Sequence, residues 1–351
     1  HAVTLRKNSG SQEILCMKLL ILTRPQPKER AQRTGRGTAA PFRVTEAHLA
    51  RIRKIVPRWE IAVTADMKRA LAELADADVI AGFPFYLAHL PLVTMAELKW
   101  AHSFSAGMDR VLTPEVARSA LRLSNSSGIH ATPIAEHVIG FMLLFTRKFV
   151  RSLENQKAHR WERDETLSEV SGKTVLVVGL GDIGMEVARL AHAFGATVLA
   201  VARTRKVRPD FVRELGTAAR LPRMLARADF VVVALPYTKA THHYIGADEL
   251  RLMKRTAILI NIGRGALVDE KALITALQRK RIAGAALDVT EIEPLPSESP
   301  LWEMENVLIT PHHSGLSEKY MDRAVERFCV NLRAFLKGEK LPNEVDKRLG
   351  Y

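Results

Sequence analysis

Val175-Leu176-Val177-Val178-Gly179-Leu180-Gly181-Asp182-Ile183-Gly184 decides how the rest of the chain is read. An apolar run ends in a glycine turn, and a helical pattern follows at once through Val187, Leu190, Ala191 and Phe194. That order suits a dinucleotide. Gly179 permits the tight turn, Gly181 lets backbone N–H groups at Asp182 and Ile183 approach a pyrophosphate, and Gly184 lets the helix sit close to its strand. The helix N-terminus then offers unpaired donors and a partial positive charge to the phosphate. A bare glycine triplet is weak evidence, but here the strand before it and the helix after it both read correctly.

Working outward, about six apolar runs recur with helices between them: 174–179, 197–202, 230–235, 257–262, 284–289 and 307–310. They predict a doubly wound, parallel dinucleotide-binding sheet. Upstream, strands at Leu19–Thr23, Ile61–Thr64, Val79–Phe83, Trp100–Phe104 and Leu121–Ser124 are expected. Helical patterns at Thr45–Val56, Met67–Ala75 and Val93–Glu97 alternate with them, implying a second parallel sheet. Residues 133–151 read as one long helix opened by Pro133. Ser317–Lys337 is helical again, too late for another unit of the second sheet, and is expected to return to the first domain. The expected fold class is therefore α/β, with two Rossmann-like or flavodoxin-like domains. A substrate domain over 17–131 and 313–351 is interrupted by a dinucleotide-binding domain over 132–312, with the active site in the cleft between them. Residues 1–16 precede a methionine and are expected to be a leader or upstream extension. Residues 24–41, rich in Arg, Pro, Gly and Thr, read as a loop.

Composition narrows the class. The apolar share of 47% and charged share of 26% are those of a soluble globular protein. Cys16 and Cys329 give neither a disulfide framework nor metal-ligand spacing, so no metal and a reducing, cytoplasmic compartment are expected. The run Val138–Phe145 is far too short for a membrane span. A net charge of +14 raises the possibility of nucleic acid. Its basic residues are scattered without aromatic interleaving, and a basic surface suiting small anionic ligands is the preferred reading.

In such sheets the second strand ends beside the adenosine ribose, where an acid suits NAD and arginine suits the 2′-phosphate of NADP. Here Thr197–Val201 runs into Ala202-Arg203-Thr204-Arg205-Lys206. No acid is present, and Arg203, Thr204 and Arg205 offer planar forks and a hydroxyl to a phosphate. NADP(H) is expected over NAD(H), with NAD(H) still usable.

Three further strand ends carry reactive side chains: Asn261-Ile262-Gly263-Arg264-Gly265, then Asp288-Val289-Thr290-Glu291-Ile292-Glu293-Pro294, then Pro311-His312-His313-Ser314-Gly315. Singly, Arg264 reads equally as a surface ion pair, Glu293 as a loop acid and His312 as a capping residue. Together they put a guanidinium, a carboxylate and an imidazole at the carboxyl edge of one sheet, where ligands bind.

With Ser105-Ala106-Gly107-Met108-Asp109, Asn125 to Gly128, Ala135-Glu136-His137 and Leu235-Pro236, these motifs follow one another as in the D-isomer-specific 2-hydroxyacid dehydrogenase family, which the chain resembles over nearly all of residues 60–345. The resemblance implies a glyoxylate/hydroxypyruvate reductase-like oxidoreductase acting on a small 2-keto or 2-hydroxy acid. Arg264 and the backbone N–H groups of Ala106 and Gly107 would grip the substrate carboxylate. His312 would be the proton donor, Glu293 its partner, and Asp288 would bond the nicotinamide carboxamide. Leu235, Pro236, Ile262 and Gly263 would line the cofactor site. His313 and Glu291 compete chemically with His312 and Glu293, but the family pattern puts the histidine directly after Pro311, and only Glu293 precedes the Pro294-Leu295-Pro296 turn. An aryl-pyruvate reductase and a non-enzymatic NAD(P)-sensing, corepressor-like protein are the alternatives. The family also implies a homodimer, to which the long apolar helix over 133–151 would contribute.

Overall fold

The computed structural model describes residues 17–24, 42–108, 110–203 and 207–348. The expected leader at 1–16, nearly all of the loop expected at 24–41, Asp109, Thr204 and Arg205 lie outside them. The described chain forms two compact units, one reaching to Ile129 and resuming at Leu316, the other running from His130 to Gly315.

The first unit is built on β1 Lys18–Leu22, β2 Glu60–Thr64, β3 Val79–Gly82, β4 Trp100–Ser103 and β5 Arg122–Ser124. All pairs are parallel, in the order β2-β1-β3-β4-β5. A parallel sheet covered on both faces needs strands that are apolar throughout rather than alternating. Leu19-Leu20-Ile21-Leu22 of β1, buried at every position, meets that need. Helix Tyr320–Leu336 covers one face. Its Tyr320, Ala324, Phe328 and Leu332 fall four residues apart and join Leu19, Ile21, Val79 and Trp100 in one apolar cluster. The ring of Phe328 stacks on Trp100 at 5.2 Å.

The second unit contains β6 Thr174–Val178, β7 Thr197–Val201, β8 Glu214–Gly216, β9 Phe230–Val233, β10 Ile258–Asn261, β11 Gly284–Leu287 and β12 Val307–Ile309. They pair in the order β12-β11-β10-β9-β6-β7-β8, again all parallel. Strand order reverses between β6 and β9, which opens a crevice at their carboxyl ends. Helix Ala131–Thr146 lays Val138, Phe141 and Met142 against Val187, Ala188 and Ala191 of helix Asp182–Ala193.

Four sequence expectations need correction. Seven strands, not six, form the second sheet. β8 is a three-residue edge strand, Glu-Leu-Gly, with no apolar run to announce it. Val93–Glu97 is a series of turns, and the short helix falls earlier, at Pro84–Leu87, where proline starts the first turn. The long helix begins at Ala131, so Pro133 lies inside its first turn, where it has no hydrogen bond to lose. It also does not reach 151: Lys148 turns left-handed at φ 50°, and a separate helix follows at Phe149–Lys157. No helix among the described residues is long and apolar enough to cross a membrane.

The glycine turn shows how little slack the second unit has. Gly179 has φ 104°, and a Cβ there would lie 2.7 Å from the Ala234 carbonyl. A Cβ on Gly184 would lie 1.9 Å from the Gly179 carbonyl, so helix and turn touch backbone to backbone. Gly184→Ala is therefore expected to lose about 1–3 kcal/mol of stability, read by urea denaturation; a loss under about 0.5 kcal/mol would show that the helix can retreat from its strand.

Candidate active site

At the β6 end, Gly181 caps helix Asp182–Ala193, and a Cβ added to it would meet nothing within 4 Å. The side of the turn facing the helix N-terminus is thus open, whereas Gly179 and Gly184 are walled in by backbone. That asymmetry fits a pyrophosphate resting on the N–H groups of Asp182 and Ile183. Asp182 itself is exposed, with its carboxylate at the helix start. Leu235, half-buried, and Pro236, exposed, follow β9 on the far side of the crevice. Arg203 is exposed two residues past the end of β7, the strand next to β6.

The neighbouring strand ends of β10, β11 and β12 carry the reactive side chains. Asn261, buried at the end of β10, holds the turn after it: its Nδ2 donates to the Arg264 carbonyl at 3.0 Å, and its Oδ1 accepts from the Gly263 N–H at 3.2 Å. Ile262 is buried behind that turn. The Arg264 guanidinium is half-buried and donates to the Gly263 carbonyl at 2.9 Å. At Gly265 a Cβ would sit 1.9 Å from the Thr290 carbonyl, so the turns after β10 and β11 are pressed together.

Glu293 and His312 meet. The His312 Nδ1 lies 2.8 Å from Glu293 Oε2. A carboxylate only accepts, so Nδ1 carries the proton and Nε2 is the ring nitrogen left to act on a ligand. The other Glu293 oxygen accepts from the Thr290 N–H at 3.3 Å. Both side chains are partly exposed. The competing residues turn elsewhere: Glu291 pairs with His243, and the His313 ring packs edge-on to His137 at 5.6 Å between centroids.

Asp288 organises this loop. Almost fully buried, its carboxylate accepts from the Thr310 hydroxyl at 2.6 Å, the His313 N–H at 3.1 Å, and the N–H and hydroxyl of Ser314. Its carbonyl also accepts from the His312 N–H at 2.8 Å. Wrapped this way, His312 takes φ 50°, a left-handed conformation uncommon outside glycine. Because Thr310 gives its proton to Asp288, its oxygen accepts from His137 Nε2 at 3.1 Å. Burial pushes the His137 imidazole below its ordinary pKa; His313 adds to that, and Asp288 opposes it. His137, Asp288 and His313 present ligand atoms within 4.8 Å of one another. A cation there would compete with the serine and threonine donors already on the carboxylate. Sequence reading missed Asn261, Thr310 and His137 as supports, since nothing in their spacing says which carbonyl or hydroxyl they meet.

In the first unit, the turn over Ser105–Gly107 has its carbonyls captured from one side. Ser126 N–H donates to Ser105 O at 3.1 Å, Asn125 Nδ2 to Ala106 O at 2.9 Å, and Tyr320 to Phe104 O at 3.0 Å. No acceptor among the described residues takes the N–H of Ala106 or Gly107. Two adjacent donors without a protein acceptor suit an anion.

Comparison with known proteins identifies the family. Residues 139–314 match the NAD binding domain of the D-isomer specific 2-hydroxyacid dehydrogenases. A glyoxylate reductase of Korarchaeum cryptofilum is 36% identical over 259 residues, 72% of this chain and 77% of that protein. A crystal structure of a D-isomer specific 2-hydroxyacid dehydrogenase family protein from Aeromonas salmonicida superposes with a TM-score of 0.80 and 31% identity, covering 94% of this chain and 99% of the other. An NADPH-dependent glyoxylate/hydroxypyruvate reductase from Sinorhizobium meliloti, in complex with NADP and sulfate, gives a TM-score of 0.76 at 28% identity, covering 95% and 100%. Two parallel sheets, a dinucleotide turn at the strand-order reversal and similarity along most of the chain agree: this protein belongs to the D-isomer specific 2-hydroxyacid dehydrogenase family and is an NAD(P)-dependent 2-keto acid reductase.

Proposed function

We propose that the enzyme reduces a small 2-keto acid of the glyoxylate or hydroxypyruvate type to its D-2-hydroxy acid, preferring NADPH to NADH. The observation that carries this reading is the Glu293–His312 pair, which fixes one imidazole tautomer and leaves Nε2 for a carbonyl oxygen. The reduced nicotinamide, when bound, supplies the hydride. Protonated His312 donates from Nε2 to the carbonyl oxygen, and in the reverse direction neutral His312 takes the hydroxyl proton. Glu293 holds the ring by Nδ1 throughout. Arg264 takes the substrate carboxylate through parallel N–H bonds, a charge-assisted contact worth about 1.5–3 kcal/mol. The N–H groups of Ala106 and Gly107 take the same carboxylate. Asp288 anchors the loop that carries His312, and a nicotinamide carboxamide bonded to it would share its oxygens with the donors already there.

The NADPH preference rests on Arg203, exposed after β7 in a turn, Ala202–Lys206, that holds no acid, and on Thr204 and Arg205 beside it in sequence. The Sinorhizobium meliloti relative is described as NADPH-dependent, which supports the same choice. A homodimer belongs to this reading, and Phe149, Leu153 and Trp161 expose large apolar side chains available to a second copy. We place the enzyme in the cytoplasm, on the scarcity of cysteine alone.

Steady-state rates with glyoxylate, hydroxypyruvate and phenylpyruvate, each with NADPH and NADH, test the substrate class. Preference for phenylpyruvate would move the assignment to aryl-pyruvates, and no turnover of any would leave a cofactor-binding protein. His312→Asn is expected to lower kcat by about 10²–10⁴-fold with cofactor binding intact; near-normal turnover would remove His312 from the chemistry. Replacing Arg203 and Arg205 by alanine is expected to raise the KM for NADPH about tenfold or more, a loss of at least one charge-assisted contact, and to leave that for NADH little changed. Equal effects on both would overturn the preference.

A further inference from the structure

The turn over Ser105–Gly107 is backed by a chain of buried hydrogen bonds whose direction can be deduced group by group. Trp100 Nε1 can only donate, and it does so to Ser124 Oγ at 2.8 Å. The Ser124 hydroxyl proton is then left for His102 Nδ1, 2.7 Å away. At the other end the Ser126 hydroxyl donates to the Ser103 carbonyl at 2.9 Å, so its oxygen accepts from His102 Nε2 at 3.2 Å. His102 is thus an Nε2–H imidazole, accepting on one side and donating on the other. It is fully buried, with Trp100, Phe104 and Phe328 around its ring. Burial pushes its pKa down to about 3, with Arg327 acting in the same direction. It therefore stays neutral, and the chain keeps one polarity, at any pH where the enzyme would work.

The chain ends on the segments that shape the turn. Ser126 receives the His102 proton, and its own N–H holds Ser105 O. Asn125, one residue earlier, holds Ala106 O. Ser103, whose carbonyl closes the chain, also donates from its hydroxyl to Ser105 O at 2.9 Å. With these carbonyls drawn to the interior, the N–H groups of Ala106 and Gly107 are directed away from them, as peptide geometry requires.

We propose that His102 is a positioning residue for capture of the substrate carboxylate: by locking Ser126 it sets the carbonyls of the turn and so aims the N–H pair at Ala106 and Gly107. This rests on the proposed role of that pair, and it names the specificity-bearing support behind it. An interaction that binds the carboxylate equally in ground and transition states lowers KM without changing kcat, so its loss has a kinetic signature of its own.

The test compares His102→Leu, His102→Gln, Ser126→Ala and Asn125→Ala, with glyoxylate as the varied substrate at saturating NADPH and melting temperature recorded alongside. Glutamine can accept from Ser124 and donate to Ser126, whereas leucine can do neither. The expected result is a glyoxylate KM raised about tenfold in His102→Leu, a kcat close to the parent, an unchanged KM for NADPH and recovery in His102→Gln. Ser126→Ala, which cuts the chain without touching the core ring, is expected to follow His102→Leu and carries the test should the leucine variant not fold. A lowered melting temperature with normal KM would reduce His102 to a structural role and overturn the proposal, as would glutamine failing to recover what leucine loses. If Asn125→Ala raises KM and His102→Leu and Ser126→Ala do not, the relay is wrong while carboxylate capture by the turn stands. If none of them moves KM, both fall.

Discussion

A buried carboxylate must be surrounded by donors, and Asp288 meets that requirement by folding the loop after β12 around itself. Isolated ionised groups in an apolar interior are costly enough that the chain arranges hydrogen bonds before almost any other local preference. Here the donors are neutral and close in sequence: the Thr310 and Ser314 hydroxyls and the N–H groups of His313 and Ser314. Wrapping five residues round one side chain forces His312 into a left-handed backbone and turns its ring toward Glu293. Left-handed non-glycine residues cost about 1–3 kcal/mol, and the bonds to Asp288 offset that. Asn261 does the same service one strand over, where its amide bonds both sides of the Gly263–Arg264 turn. The reactive groups thus stand on loops pinned by a buried polar residue at the adjoining strand end, which is how a loop acquires the rigidity of the sheet it leaves.

The sheet explains why these loops lie together at all. In an all-parallel arrangement every strand points its carboxyl end the same way, so the turns after β6, β9, β10, β11 and β12 share one edge. Apolar side chains on both faces hold the strands, with Val175 and Val177 in one cluster and Leu176 and Val178 in the other. Stability and chemistry are therefore carried by different residues. In the second sheet the strand interiors are uniformly apolar because nothing is asked of them beyond burial, and the polar residues collect where the strands stop.

That separation also decides what can be read from the sequence. Runs such as Val175–Val178 or Leu19–Leu22 announce buried strands because burial on two faces leaves an uninterrupted apolar signature. The glycine turn announces itself because Gly179 and Gly184 meet backbone, where no side chain fits. Residue type and strand position put a carboxylate and an imidazole on one sheet edge, but they did not separate His312 from His313 or Glu293 from Glu291; the family pattern and the proline turn after Glu293 did that. What escaped is short, exposed or defined by distant partners. β8 is a three-residue edge strand with a single apolar side chain, and the break at Lys148 is one left-handed residue in an otherwise helical pattern. The use of Asp288 as a loop anchor depends on Thr310 and Ser314 reaching it from another strand, and Ser124 meets His102 only through the pairing of β4 with β5. Such contacts are products of the fold, and no local pattern encodes them.

Histidine shows most clearly how environment, not residue type, assigns chemistry. His102 lies fully buried between two serine hydroxyls, and the cost of charging it there leaves it a neutral connector. His137 is half-buried, donates from Nε2 into Thr310 and so serves the Asp288 network. His312 is partly exposed and its Nδ1 is held by a carboxylate, which leaves Nε2 as the ring nitrogen turned toward a ligand. A proton donor needs a partner that stabilises its charged form and a route for recharging; a support needs neither and is better without them. One ring system is suited to each of these roles in turn because burial and partner differ at each position. A reading from sequence can nominate His312 from the proline before it, but which nitrogen is left to react follows only from where Glu293 sits.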